Sequence, residues 1–392
     1  MASVPYDVVS RTEARDLAAG NPLSFLHVSR AEIDLEPAVD AYSDAVYHRA
    51  TENLETLRNE APLVVEESAS LYVYRLQDGS HEQTGLAGCF SLDEYDKGLV
   101  RRHERTRADK EDDRTRHMLA LGAQTGIVFL TYRASTDVTV VTRRICKDEP
   151  LFDLTAADGV RHTVWRAGPV DAAAAVSAFA SLPSLYIADG HHRIASAARA
   201  RDEMSKAATL AGDAEACFFL GVAFPDTETR ILAYNRTVAD LAGLTPAEFV
   251  DAVRSRFPVQ AGADPVPAKG QAAMYLDGVW YGVDLQRGAV AGQARDVSSE
   301  LDIAVLQEHI LAPVLQVVDV RTDARMTFVG GIRGTRALEA LVDSGQAAVA
   351  FSMAPVTSDE LLSVSDAGEI MPPKSTWFEP KLRDGLLSHL IR

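Results

Sequence analysis

Apolar residues recur along this chain with two different periods, and the switches between them mark its elements. Between Ala38 and Asn59, the residues Val39, Tyr42, Val46, Ala50, Leu54 and Leu57 are spaced by three or four positions, which predicts a long helix. Ser10 with Glu13 three residues on reads as a capping box opening an earlier helix, which Asn21-Pro22 ends. Short alternating or continuous apolar runs predict strands at Ser24–Ser29, Ser70–Leu76, Gln83–Leu92, Ile127–Arg133, Val138–Thr142, Thr163–Arg166, Leu185–Ala188 and Phe218–Ala223. Asp78-Gly79 turns the second of these into a hairpin. An alanine-rich helix is expected over Val170–Leu182, and another follows Ile194.

Beyond Asn235 the texture changes. Thr245-Pro246 with Glu248 starts a helix running to Arg256, and Ala272–Leu276 and Val279–Leu285 read as a hairpin around Asp277-Gly278. Helices are predicted at Ser299–Leu315 and Thr335–Ser344, a buried strand at Ala347–Met353, and a short last helix after a proline-stiffened tail. Strands and helices are mixed, hairpins are frequent and no regular βαβ series emerges, so the fold class is α+β with mixed and antiparallel sheets and packed helices. Two lobes are expected, residues 1–235 and an α/β lobe over 236–392.

Composition narrows the function classes. With 392 residues and 47% hydrophobic content the chain can bury a large core. A net charge of −17 argues against a broad nucleic-acid footprint, which needs basic surface, but allows a local anion pocket. Cys89, Cys146 and Cys217 are odd in number and widely spaced, which suits a reducing compartment rather than a disulfide framework. Asp7, Arg11, Glu13, Arg15 and Asp16 near the start do not form a signal peptide, and no apolar run is long enough for a membrane span. A cytoplasmic protein is expected.

The stretch with the most chemistry is Asp189-Gly-His-His-Arg193, between a buried strand and an alanine-rich helix. Three readings stay open: a turn and N-cap with a solvated first helical turn, a metal site, and an anion site. Adjacent histidines on a helix point about 100° apart, which disfavours one shared metal ion. The anion reading uses Gly190 for close backbone approach, the N–H groups of a helix start, Arg193 for a bidentate contact and a histidine as extra donor. A second stretch, Arg102-His-Glu-Arg-Thr106 followed by Lys110, is either a charge-laced exposed helix or the lining of an anionic pocket. In the latter, Glu104 serves as base or magnesium ligand, and His103, Thr106 and Lys110 line the anion. Third, Pro372-Pro-Lys-Ser-Thr376 lacks the glycines of a P-loop, so it is a surface loop or a place where Lys374, Ser375 and Thr376 meet phosphate. Tyr6 and Asp7 read as packing and capping.

Together VPYDVVS (Val4–Ser10), NPLSFLHVSRAEIDL (Asn21–Leu35), RHERT (Arg102–Thr106), YIADGHHR (Tyr186–Arg193) and MPPKSTWFEPKL (Met371–Leu382) resemble the successive signatures of a bacterial and archaeal family, domain of unknown function 1015 (DUF1015). More remotely, DGHHR is similar to the phosphate-binding turn of the ParB/sulfiredoxin superfamily and to the Asp-Gly-His-His-Arg of free-serine kinases. That resemblance implies a ParB/sulfiredoxin-like nucleotide-binding element in which Gly190, His191, His192 and Arg193 hold phosphate. Asp189 would act on a substrate hydroxyl or on Mg²⁺, with Glu104 as the other candidate base. The sulfiredoxin cysteine is missing from the turn, and so is the basic surface of a ParB-like DNA partner. The implied activity is a nucleotide-dependent small-molecule kinase using ATP or ADP and Mg²⁺, acting on a hydroxyl compound such as free L-serine. The alternatives are a nucleotide-binding regulatory or scaffold protein and a phosphohydrolase. Expected partners are a nucleotide and a small metabolite, with no nucleic acid and no membrane, and a homodimer is compatible.

Overall fold

The computed structural model describes residues 1–61, 63–207, 209–287 and 296–392. The chain forms two compact units, Met1–Thr229 together with Pro380–Arg392, and Arg230–Glu379. The lobes read from sequence were 1–235 and 236–392; in the structure the last thirteen residues belong with the first unit.

The first unit is built on nine strands: β1 (Tyr72–Asp78), β2 (His81–Ser91), β3 (Val100–Arg101), β4 (Ala123–Gln124), β5 (Val128–Tyr132), β6 (Phe152–Thr155), β7 (Arg161–Arg166), β8 (Leu185–Asp189) and β9 (Phe218–Pro225). Eight of them form one sheet in the order β3-β8-β5-β9-β2-β1-β7-β6. The half carrying β6, β7, β1, β2 and β9 is antiparallel, while β5 runs parallel to β9 and β3 parallel to β8. The β1–β2 hairpin turns at Asp78–His81, as Asp78-Gly79 predicts. β4 pairs separately with His389–Leu390 of the tail. The last short helix expected there is replaced by this two-residue strand.

β5, β8 and β9 are apolar almost throughout because both faces of that part of the sheet are covered. The helix His191–Ala207 lays Ile194, Ala197 and Ala200 against Leu130, Ile187 and Ala223. Small residues at three-residue spacing let its axis approach the strands. On another part of the sheet, Val141, Ile145 and Ala175 from the helices Thr136–Ile145 and Pro169–Ala180 pack with Val73, Leu86 and Trp165. The N-terminal helix Arg11–Ala18 has the expected capping box, the Ser10 hydroxyl accepting from the Glu13 N–H and the Glu13 carboxylate from the Ser10 N–H.

Two expected strands are helical. Val138–Thr142 lies in the helix Thr136–Ile145, whose buried residues Val138, Val141, Thr142 and Ile145 follow the three–four spacing of a helix and not an alternation of two. Ser24–Ser29 contains the short helix Leu26–Ser29; Phe25, Leu26 and Val28 are all buried, so no face alternates. The long predicted helix begins later than its apolar pattern, at Asp44, and ends at Glu60.

The second unit carries an antiparallel six-stranded sheet in the order Val259–Ala261, Val279–Asp284, Gln271–Leu276, Val349–Met353, Tyr234–Val238, Met326–Gly330. One cluster packs Phe249, Val253 and Phe257 with Met274, Leu306 and Phe351. Another sets Leu338 against Tyr275, Trp280 and Val329. The helix after Thr245 is capped as expected, with Pro246 at its first position, and runs to Arg254. Ser299–Leu315 is not one helix: an α-helical turn at Asp302–Leu306 widens into a π-helical turn at Gln307–Leu311. The structure is therefore α+β with mixed and antiparallel sheets and packed helices. Among the described residues, no helix is long and apolar enough to cross a membrane.

Leu130, fully buried in β5 under the helix His191–Ala207, tests this packing. Leu130→Ala is expected to destabilise the first unit by about 2–5 kcal/mol, read from the midpoint of urea unfolding.

Candidate functional site

β8 ends at Asp189, Gly190 turns the chain, and the helix begins at His191. Gly190 has φ +98°, a conformation side chains avoid, and a Cβ there would lie 3.4 Å from the Val128 Cα and 3.3 Å from the Arg193 Cδ. The glycine thus brings the helix N-terminus, with its positive dipole end, close over β5. Seventeen residues of helix stand behind it.

Arg193 points into the protein and is 4% exposed. Its guanidinium donates to the Ile127 carbonyl at 2.6 Å and to both Asp7 carboxylate oxygens at 2.9 and 2.7 Å. It also lies over the Tyr6 ring, 5.6 Å from the centroid. Burial alone would weaken its protonation, but the Asp7 and Asp189 carboxylates hold the guanidinium well above its ordinary range. Asp7, read from sequence as a packing or capping residue, is the bidentate partner of this arginine. Tyr6 is half-buried beside it, and its phenol is pushed up to about 12 by loss of solvation and by Asp7.

Asp189 accepts from the Lys381 ammonium at 2.9 Å. Burial pushes this carboxyl up, yet Lys381 and then Arg193 outweigh it and keep it ionised well below the usual carboxylate range. Nearby Asp384 is 2% exposed, and its Oδ2 has no hydrogen-bond partner. Burial raises it to about 7 even though Arg193 pulls the other way. Lys381 and Asp384 lie in the tail that returns to this unit. Lys381 falls in the MPPKSTWFEPKL stretch, and with Arg383 and Asp384 it makes a run of charges set among the apolar Leu382 and Leu386.

The RHERT stretch is not helical; it is an extended loop that leads into the helix Ala108–Leu121. It meets DGHHR directly. The His103 N–H donates to the His191 Nε2 at 3.4 Å, and the Arg107 N–H donates to the His192 Nε2 at 3.0 Å. His191 therefore carries its proton on Nδ1, 3.9 Å from the Glu104 carboxylate. The His103 and His191 rings meet edge to face at 4.4 Å. Both are neutral: burial drives His103 down to about 4 and, with the neighbouring His103, His191 well below its ordinary value. Neither ring nitrogen of His103 makes a well-formed hydrogen bond, although the Ile187 backbone is close. Thr106 bonds to Glu111 through its hydroxyl, and the Lys110 ammonium donates to the Tyr42 hydroxyl at 2.7 Å.

His103, Glu104, Asp189, Gly190, His191, His192 and Arg193 are thus gathered in one place, together with Asp7 and Lys381. Thr106 and Lys110 follow on the same loop and helix with partners of their own. Lys374, Ser375 and Thr376 belong to the second unit. There the buried Arg236 donates to the carbonyls of Pro373 and Lys374 at 3.2 and 3.3 Å, the Ser375 hydroxyl bonds to the Pro372 carbonyl, and the Lys374 ammonium lies 5.5 Å from the Tyr234 ring centroid. Among the described residues no group of three or more His, Cys, Asp or Glu side chains is arranged to hold a metal ion. In this arrangement Asp189 has Lys381 as its cation.

Two pH dependences follow, with opposite signs. His103 and His191 stay neutral in the folded chain but protonate near 6.5 when unfolded, so stability falls as pH drops from about 6.5 toward 4. His103→Gln should flatten that fall in denaturation midpoints taken across the range. Asp384 holds its proton to about 7 in the fold but releases it near 3.8 when unfolded, so its contribution is lost as pH rises between those values. Asp384→Asn should remove this loss and raise stability at pH 8 by on the order of a few kcal/mol, measured against wild type by the same midpoints.

No curated protein matches this chain. Among solved structures, a free serine kinase mutant in complex with AMP is similar at 10% identity over 81% of this chain and 91% of that one, with TM-score 0.38. SbnI with a C-terminal truncation, from Staphylococcus aureus, is 13% identical over 76% of this chain and 85% of that one, with TM-score 0.40. A conserved hypothetical protein from Pyrococcus furiosus is 12% identical over 82% and 96% of the two chains, with TM-score 0.36. The family described as protein of unknown function (DUF1015) matches residues 1–319, a span that takes in Asp7, the RHERT loop and the DGHHR turn. On that extent the chain belongs to the DUF1015 family.

Proposed function

We propose that this protein is a nucleotide-dependent small-molecule kinase that grips phosphate at the Asp189–Arg193 turn and transfers it to a substrate hydroxyl, free L-serine being the first candidate. The observation that carries the reading is the turn itself: Gly190 at φ +98° opens a long helix whose N-terminal N–H groups are framed by Arg193 on one side and the Asp189–Lys381 pair on the other. Such N–H groups and the helix dipole favour a phosphate. The motif's likeness to the turn of free-serine kinases supports the same assignment.

Phosphoryl transfer asks mainly for positioning and for stabilisation of charge on the transferring oxygens. Gly190 and the first helical N–H groups hold the phosphate of ATP or ADP. Arg193, locked by Asp7 and Ile127, supplies a fixed positive charge beneath it. His192, whose Nε2 is occupied by the Arg107 N–H, keeps its proton on Nδ1 as a further donor. His191 is neutral and orients the RHERT loop, which carries Glu104 to the rim. Asp189 is ionised, and one side of it is open enough to accept the proton of an attacking hydroxyl; its side chain is 30% exposed. Magnesium, where used, would arrive on the nucleotide's own phosphates.

The test is calorimetry with ATP and ADP, followed by a search for phosphorylated product from L-serine and a panel of small hydroxyl compounds. Wild type is expected to bind nucleotide and form product. Asp189→Asn is expected to keep binding while lowering turnover at least a hundredfold, the usual scale for loss of a general base. Wild type that binds no nucleotide overturns the reading, and binding without any product from the panel turns it toward a regulatory protein.

A further inference from the structure

Two cations face the phosphate turn, and they are held in different ways. Arg193 is committed: three acceptors, the Ile127 carbonyl and the two Asp7 oxygens, fix its planar fork, and it is 4% exposed. Lys381 is a compact charge on a flexible stem, bonded to Asp189 at 2.9 Å, with its side chain 15% exposed and that of Asp189 30%. The tail that carries Lys381 has other anchors besides this pair. Ser3 and Asp384 exchange two backbone hydrogen bonds at 3.0 and 3.1 Å. Arg383 bonds to His162 at 3.2 Å and to Asp158. His389–Leu390 pairs with β4, and His389 meets Glu215 at 2.7 Å. The lining beside the pair is also short of partners, since buried His103 lacks a well-formed hydrogen bond at either ring nitrogen and lies within the field of Asp189.

A phosphate seated on the N–H groups after Gly190 would bring its negative charge next to the Asp189 carboxylate. That repulsion is relieved if the ammonium changes partner. We propose that Lys381 is the mobile phosphate-contacting cation of this site, leaving Asp189 for the bound phosphate when a nucleotide enters. The inference rests on the nucleotide reading above and adds a residue to it from the far end of the chain. It also links binding to chemistry. Once Lys381 has moved, Asp189 loses its closest positive neighbour and its proton affinity rises. It can then take the proton of the acceptor hydroxyl as the new O–P bond forms and the P–O bond to the leaving nucleotide breaks, with the electron pair departing on the nucleotide oxygen.

The experiment is calorimetric titration of the full chain with ADP, with melting temperatures taken for each variant. Lys381→Met is expected to weaken ADP binding roughly tenfold or more, the scale of one charge-assisted hydrogen bond, and Lys381→Arg to restore most of it. Asp189→Asn is expected to tighten ADP binding, because it weakens the lysine's hold on residue 189 and removes a negative charge beside the phosphate. Opposite signs for Asp189→Asn and Lys381→Met are the signature of partner exchange. Equal losses in both, or unchanged binding in Lys381→Met, would mean that the pair is only a clamp and would overturn the inference while leaving the nucleotide reading intact. Wild type without ADP binding is the separate result that removes both.

Discussion

The first unit depends on a charge pair whose cation is buried. Arg193 sits on the first turn of a helix that faces the sheet, where a guanidinium can be buried only if its donors find acceptors in fixed positions. Asp7 and the Ile127 carbonyl supply them for the two terminal nitrogens, while Nε is left without one. The chain's beginning is thereby fastened to the turn near its middle, 186 residues away in sequence. Asp7's side chain is 37% exposed, so solvent screens part of its attraction, but loss of the carboxylate would still leave a cation stranded inside.

Around that pair the turn is assembled from distant parts of the chain. Gly190 supplies the conformation, β5 the floor, and the RHERT loop the flank through backbone N–H groups that bond to the two histidine rings. The tail closes the arrangement with Lys381 on Asp189. Charges are balanced closely: Asp7 against Arg193, Asp189 against Lys381, with Asp384 keeping its proton near neutrality because burial outweighs the pull of Arg193 and Arg114. Burial also keeps His103 and His191 neutral, so they add no fixed positive patch. A site of this kind presents backbone N–H groups and one stationary cation, which suits an anion that must be held and then released.

The second unit shows the same physics in a different use. Arg236 is fully buried, and burial lowers its guanidinium to about 9 because no carboxylate sits against it. It satisfies its donors with the carbonyls of Tyr234, Pro373 and Lys374, and in doing so shapes the loop that holds Lys374 at φ +56°. The PPKST stretch that attracted attention for its lysine and hydroxyls is thus held from inside by an arginine, with its serine hydroxyl spent on the loop's own backbone.

Much of the fold was legible from local signals. The α+β class, the capping boxes at Ser10 and Thr245, the Asp78-Gly79 hairpin and the strand–turn–helix at Asp189-Gly190 all depend on residues within a few positions of one another, and local sequence carries that information. The departures have one cause. Val138–Thr142 and Ser24–Ser29 are short apolar runs for which strand and helix are equally readable until it is known which faces are covered, and only the packed neighbours decide that. Asp7 and Lys381 lie in the VPYDVVS and MPPKSTWFEPKL stretches, but nothing in those stretches or near Asp384 ties them to the glycine turn. A carboxylate and an ammonium at opposite ends of a chain have no sequence relation, and their chemistry arises only when folding puts them in low dielectric within 3 Å of Arg193 and Asp189. The sequence by itself determined the glycine turn and the helix that follows it. Tertiary structure decided which charges face that turn, because ion pairing is a matter of distance in space.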